Sequence, residues 1–132
     1  ALNFDGETGP YVQYTYARCC SVLRKAAEAS DAPQSPVEPS YAALSDDYAQ
    51  ELLRLLSRYP EAILDAADKY EPSMVVRAMT DIAKAYNKFY YENRILDDDL
   101  TVREARLRLT QAARAVLKGA MALIGMEAPE RM

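Results

Sequence analysis

Two tyrosines and an arginine recur along one side of the first predicted helix at spacings that suit contact with nucleic acid. Tyr11, Tyr14 and Arg18 stand at positions i, i+3 and i+7, so a helix places them on one face. Aromatic rings stack on exposed bases, and a guanidinium holds a phosphate. The same spacing suits tyrosines that pack against a neighbouring helix, and the spacing alone leaves both interpretations open.

A second group of aromatic side chains lies between residues 86 and 91, among three cations. These residues are Tyr86, Phe89, Tyr90 and Tyr91, with Lys84, Lys88 and Arg94 beside them. The first three rings follow the same helical spacing as the predicted core residues Met79 and Ile82. Because all four rings cannot face inward, we expect at least one at the surface with its hydroxyl in water.

Several kinds of catalytic and metal site are excluded by composition. The 132-residue chain has no histidine, four glycines and two cysteines, the adjacent pair Cys19 and Cys20. Histidine-based nucleophilic and zinc sites are therefore excluded, and no glycine pattern suits a phosphate loop. We predict no catalytic residue and no metal ligand, and we interpret both cysteines as small packing residues. Two unpaired cysteines favour a reducing, cytoplasmic setting.

Charge is unevenly distributed along the chain, although the net charge is −4. Residues 8–27 carry three bases and no acid, and residues 102–124 carry five bases and one acid. Residues 40–71, in contrast, carry seven acids and three bases. One side of the molecule could therefore meet a polyanion, although solvated helix faces produce the same pattern.

The sequence predicts one all-α domain of five bundled helices over residues 1–132. Helical periodicity predicts helices over about 10–30, 46–58, 60–70, 72–95 and 101–125, the second capped by Ser45 and the last by a box that begins at Thr101. Residues 1–9 are predicted as a loop, 31–39 as a proline-rich connector and 126–132 as a tail. Val12, Tyr16, Cys19, Leu23 and Ala27 form the predicted core stripe of the first helix. No apolar run is long enough to cross a membrane, and no signal peptide opens the chain.

Three segments resemble the C-terminal anticodon-binding domain of arginyl-tRNA synthetases, known as the DALR domain. They are residues 4–14 (FDGETGPYVQY), residues 85–90 (AYNKFY) followed by RIL at 94–96, and residues 123–132 (LIGMEAPERM). The first of these strings is the most specific, and the similarity covers essentially the whole chain in order. The resemblance implies an all-α domain of the class I synthetase type that grips the anticodon stem and loop of arginine tRNA.

The resemblance also implies roles for eight residues of this chain in tRNA binding. Gly6, Thr8 and Gly9 would belong to a loop near the anticodon, with the glycines allowing its tight path. The remaining five are Tyr11 and Tyr14, which would stack on loop nucleotides, Arg18, which would contact backbone or base, and Tyr90 and Met132, which would lie near the anticodon.

A longer parent protein is a further implication of the resemblance. The parent would ligate arginine to its tRNA with ATP, and a catalytic domain in the same chain would bind ATP, arginine and magnesium. The chain begins with Ala1 and carries none of the class I nucleotide-binding motifs, so we expect an inactive fragment that needs no cofactor itself. We expect no membrane contact and a monomer. The alternatives are a helical protein–protein interaction module and the equivalent domain of another class I synthetase, such as the cysteinyl enzyme.

Overall fold

Four α-helices and one short 3-10 helix form the fold of residues 8–132, the part of the chain that the computed structural model describes. The α-helices are α1 (Thr8–Glu28), α2 (Asp47–Lys69), α3 (Pro72–Glu92) and α4 (Leu100–Leu123), and the 3-10 helix spans Tyr41–Leu44. No strand occurs within residues 8–132, so the prediction of an all-α fold is confirmed. None of these helices has both the length and the apolar content that a membrane crossing requires.

The second and third predicted helices form one continuous helix, so the predicted number of five was wrong by one. Pro60 lies inside α2 with its side chain exposed to water. A proline inside a helix removes one hydrogen bond and costs about 3 kcal/mol. Tyr59 and Ile63, on either side of Pro60, both pack against the core. Both side chains are partly buried, so the apolar surface that they remove from water offsets part of the cost of Pro60.

Aspartates, rather than the hydroxyl residues that the sequence predicted, cap α2 and α4. Asp46, not Ser45, precedes α2 and accepts a hydrogen bond from a backbone N–H of its first turn at 3.1 Å. Asp99 precedes α4 and accepts from the N–H of Thr101 at 2.9 Å, so the cap lies two residues before the predicted Thr101 and the predicted capping box was wrong. At the other end of α4, Gly125 takes a positive φ of 76°, as expected for the residue after a helix C-cap.

The core lies where α1 crosses α3 and α4, while α2 packs mainly along α3. The phenol of the buried Tyr86 shares a hydrogen bond of 3.1 Å with the Thr110 hydroxyl, which joins α3 to α4. Both cysteines are buried, as predicted, and burial raises the pKa of Cys19 to about 12. The Cys19 thiol therefore stays protonated and unreactive near neutral pH.

The predicted core stripe of α1 is correct for its first three members only. Val12, Tyr16 and Cys19 are buried, whereas Leu23 is half-buried and Ala27 is exposed. The last fully buried residue of α1 is Val22, so the buried stripe does not continue into the last turns of the helix. Residues 31–39 and 126–132 are not helical, as predicted for the connector and the tail.

Candidate nucleic-acid interface

The two tyrosines of α1 occupy different environments on the face that sequence spacing predicted. Tyr14 is 60% exposed, and its ring is available to solvent. Tyr11 is 37% exposed, and its hydroxyl accepts a hydrogen bond of 3.0 Å from Asn87 Nδ2 on α3. Both interpretations of the spacing therefore apply in part, because Tyr14 stands clear of the bundle while Tyr11 leans on the neighbouring helix. Their role in binding stays a prediction.

Arg18 is held over α3 by partners that carry no charge. Its Nη1 donates to Asn87 Oδ1 at 2.6 Å, and its Nη2 donates to the Tyr91 hydroxyl at 3.2 Å. The guanidinium carbon lies 4.6 Å from the ring centre of Tyr90 and 5.1 Å from that of Tyr91. The two rings meet edge to face, with their centres 5.4 Å apart. None of the ion pairs among residues 8–132 includes Arg18, so its positive charge is fixed in place but not neutralised.

Asn87 connects the members of this cluster from a buried position on α3. Its side-chain Nδ2 donates to the Tyr11 hydroxyl and to the Thr15 hydroxyl, while its Oδ1 accepts from Arg18. Thr15 in turn donates to the Tyr11 carbonyl at 2.9 Å. Both amide hydrogens and the amide oxygen of Asn87 are therefore engaged, which a buried side chain requires.

A groove of about 470 Å³ extends from Arg18 along the C-terminal half of α1. Its cationic lining residues are Arg18, Lys25 and Arg94, and the rings of Tyr90 and Tyr91 lie on its α3 side. No carboxylate lines it among the described residues. Cations beside aromatic faces form a channel that suits a single strand of nucleic acid.

The C-terminal tail lies against α1 and brings Met132 to the same surface. The Gln13 side chain donates to the Glu127 carbonyl at 3.0 Å, and Arg24 donates to the Glu130 carbonyl at 3.4 Å. Met132, which is 61% exposed, lines a cavity of about 260 Å³ together with Tyr14 and Arg18. The structure thus brings together Tyr11, Tyr14, Arg18, Tyr90 and Met132 from three distant parts of the chain.

The structure differs from the predicted glycine loop at Thr8 and Gly9, the part of that loop that lies within the described residues. Gly6 lies outside the described residues, as do residues 1–7 as a whole. Thr8 and Gly9 form the first turn of α1 instead of a loop, and Gly9 is buried there. The predicted need of Gly9 for a special loop path was therefore wrong, because it adopts helical backbone geometry. Thr8 lines a cavity of about 310 Å³ with Thr80 and Lys84, separate from the one that holds Met132.

The cations of α4 do not form a second surface for a polyanion. Arg103 is paired with Asp31, Arg106 with Asp97, and Arg108 with Glu104. Only Arg114 and Lys118 remain on the exposed side of α4 outside these ion pairs. The basic character that the sequence indicated for both the first and last helices is therefore concentrated at α1 and the end of α3.

Sequence reasoning did not assign roles to Asn87, Tyr91 or Lys25. Asn87 offered a usable signal, because an amide within the apolar spacing of a buried helix needs hydrogen-bond partners. Tyr91 was recognised only as a member of the aromatic group, and its 70% exposure confirms that one of those rings lies at the surface. Lys25 offered no signal, because its neighbours in the groove come from α3 and the segment after it.

The chain matches the family model described as the DALR anticodon binding domain, over residues 12–132. It is 47% identical over 131 residues to an arginine–tRNA ligase of Halothermothrix orenii and 48% identical over 131 residues to one of Clostridioides difficile. Each match covers 99% of this chain and 22% of the relative. The chain thus spans about a fifth of the length of these curated relatives.

Two solved structures are similar to this fold. The arginyl-tRNA synthetase of Thermus thermophilus matches with a TM-score of 0.79 and 33% identity, over 98% of this chain and 22% of that one. A putative arginyl-tRNA synthetase of Campylobacter jejuni matches with a TM-score of 0.73 over 95% of this chain and 26% of that one. At 21% identity, the second supports the fold alone.

Proposed function

We propose that this chain, which belongs to the DALR anticodon-binding domain family, binds the anticodon stem-loop of arginine tRNA through the face formed by α1, α3 and the tail. The observation that carries the proposal is the uncancelled charge of Arg18 beside the exposed ring of Tyr14. An anticodon loop offers unstacked bases and phosphates together, and protein surfaces read such loops by stacking and by hydrogen bonds.

Each part of the surface has a proposed task. Tyr14 stacks on a loop base, and Tyr11 adds its partly exposed ring and hydroxyl. Arg18 contacts a phosphate or a base edge, while the ring of Tyr90 packs against its guanidinium group. Lys25 attracts the phosphates of the strand that enters the groove, which gives the affinity its salt dependence. Arg94 lines the same groove, but it is already paired with Asp98 at 3.5 Å. Met132 forms the edge of the surface on the side of the C-terminal tail.

We propose that the parent of this chain is an arginine–tRNA ligase. Its catalytic domain, with sites for ATP, arginine and magnesium, lies in the same polypeptide outside these 132 residues. No residue of this chain takes part in the ligation chemistry, so the chain alone does not aminoacylate tRNA. We propose that the parent acts in the cytoplasm as a monomer.

The proposal predicts a large loss of affinity when the stacking ring of Tyr14 is removed. We expect Tyr14→Ala to weaken binding of arginine tRNA by the full-length ligase by roughly one to two decades, because stacking on a protein ring contributes about 1–3 kcal/mol per base. Tyr11→Ala should also weaken binding. The measurement is a titration of labelled tRNA, with a thermal melt to show that each variant stays folded.

Tyr48→Ala is the matched control, because Tyr48 is a partly exposed tyrosine of the acidic helix α2. Its affinity should equal that of the unchanged protein. Equal affinity for the Tyr11 and Tyr14 variants as well would contradict the stacking surface. A partner protein whose capture is unaffected by added tRNA would favour the interaction-module alternative, and a preference for cysteine tRNA would favour the cysteinyl one.

A further inference from the structure

We propose that the Asn87 amide orients Tyr11 and Arg18, and Tyr91 through Arg18, so that all three donate hydrogen bonds to the ligand. Because Asn87 is uncharged, it also leaves the positive charge of Arg18 available to that ligand. This proposal rests on the proposed function for the identity of the ligand, an RNA loop. It adds which chemical groups of that loop the surface accepts. Asn87 is a positioning residue in this account, since it is buried and acts through Tyr11 and Arg18.

The orientation of the Asn87 amide follows from its neighbours. A guanidinium can only donate hydrogen bonds, so the amide atom that lies 2.6 Å from Arg18 must be the carbonyl oxygen. The amide nitrogen then faces the hydroxyls of Tyr11 and Thr15, at 3.0 and 2.9 Å. Both hydroxyls must accept from it, because the nitrogen has no lone pair to offer.

Consequently, the hydroxyl protons of Tyr11 and Tyr91 take no part in the hydrogen bonds to Asn87 and Arg18. Tyr11 accepts from Asn87, and Tyr91 accepts from Arg18 Nη2 at 3.2 Å. Each phenol therefore keeps its single proton for another acceptor. The two residues are 37% and 70% exposed, so that acceptor can belong to a ligand. Arg18 adds the N–H groups that its bonds to Asn87 and Tyr91 do not use.

The neutrality of Asn87 matters as much as its orientation. A carboxylate at position 87 would bind the guanidinium more strongly, through a charge-assisted hydrogen bond. It would also cancel the charge that attracts a phosphate. It would reverse the Tyr11 hydroxyl as well, since the phenol would donate to the carboxylate and present only its oxygen lone pairs. The amide fixes the same geometry without either change.

Tyr11, Tyr91 and Arg18 therefore select ligand groups that accept hydrogen bonds. In an RNA loop these are phosphate oxygens and the carbonyl oxygens and unprotonated ring nitrogens of bases. Amino groups of bases find no acceptor among Tyr11, Tyr91 and Arg18 as the amide orients them. The two sources of acceptor, phosphate and base, are separable by experiment.

Asn87→Asp in the full-length ligase is the decisive variant because it keeps the shape of the side chain. The carboxylate can accept from Arg18, Tyr11 and Thr15, so we expect the melting temperature to be retained. Binding of the arginine tRNA stem-loop should weaken by about tenfold, and the slope of log affinity against log salt should become shallower, by the same amount that we expect for Arg18→Ala. Gln111→Glu makes the same change of charge on the exposed side of α4 and should leave affinity and slope unchanged.

A stem-loop with uncharged methylphosphonate linkages in the loop identifies the acceptor. If the deficit of Asn87→Asp disappears on this RNA, the acceptor is a phosphate, and if it persists, the acceptor belongs to a base. Unchanged affinity and slope for Asn87→Asp, alongside a weakened Arg18→Ala, would overturn the proposal and leave the proposed function standing. Full binding by Arg18→Ala and Tyr14→Ala would instead overturn the proposed function.

Discussion

Arg18 on α1 and Arg103 on α4 are both held by residues distant in sequence, yet their partners differ in charge. Arg103 donates to both carboxylate oxygens of Asp31, at 2.9 and 2.7 Å, and to the Asp97 carbonyl at 2.9 Å. Its side chain is 6% exposed. Arg18 donates only to an amide and a phenol and rests on two rings.

The two arginines show how one residue type serves folding in one place and binding in another. The Asp31 carboxylate neutralises Arg103 and ties the connector after α1 to the start of α4, which leaves no charge for a ligand. The neutral partners of Arg18 restrict its motion and preserve its charge. The partners of an arginine, rather than its exposure alone, therefore distinguish a structural arginine from a binding one in this molecule.

Removal of Arg103 is the change that should affect folding most. Arg103→Ala should lower the free energy of unfolding by about 2 kcal/mol, because hydrogen bonds to charged groups are lost from a buried side chain. Urea denaturation measures this loss. The affinity of the folded variant for arginine tRNA should not change.

Arg108→Ala provides the matched control for Arg103. Arg108 pairs with Glu104 on the same helix, but its side chain is 48% exposed, so its removal should destabilise the fold far less. If Arg103→Ala weakened tRNA binding while leaving stability intact, the distinction between the two classes of arginine would be wrong.

The Asp31–Arg103 pair should make a smaller, pH-dependent contribution. The hydrogen bonds from Arg103 hold the pKa of the Asp31 carboxyl below its usual range. A lowered pKa in the folded state means that the contribution of Asp31 to stability is fully present above the pKa that this carboxyl has in the unfolded chain, about 4. It is lost as the pH falls through the lower pKa of the folded chain.

Asp31→Asn isolates this contribution from those of other carboxyl groups. The variant should be less stable than the unchanged chain at about pH 7, and the difference should shrink as the pH falls below about 4. Urea midpoints at several pH values measure the difference. A difference that stayed constant with pH would show that the charge of Asp31 contributes nothing.

Local pattern was sufficient to predict α1, α3, α4 and the exposed face of α1, whereas α2 was predicted as two helices. The spacing of Tyr14 and Arg18 placed both on one face because helical geometry fixes it within seven residues. Pro60 misled the prediction, because the packing of Tyr59 and Ile63 that offsets part of its cost is a tertiary effect. The caps at Asp46 and Asp99 were each displaced by one or two residues, which is the usual uncertainty of helix ends.

The partners of Arg18 could not be predicted from spacing. Asn87 lies 69 residues away on α3, and the contact depends on how α1 crosses that helix. The position of the tail likewise depends on side chains of α1, Gln13 and Arg24, that bind its carbonyl groups. The resemblance to a known family indicated that Tyr90 and Met132 belong near Arg18, whereas the uncharged partners of Arg18, Asn87 and Tyr91, were identified only from the three-dimensional structure.

The salt dependence of tRNA binding by the unchanged ligase and by Arg18→Ala tests the central claim most directly. If the charge of Arg18 is available to a phosphate, the slope of log affinity against log salt becomes shallower by roughly 0.7–0.9 in the variant, the value for one lost phosphate contact. Arg103→Ala should keep the slope of the unchanged protein. Identical slopes for Arg18→Ala and the unchanged protein would contradict the account.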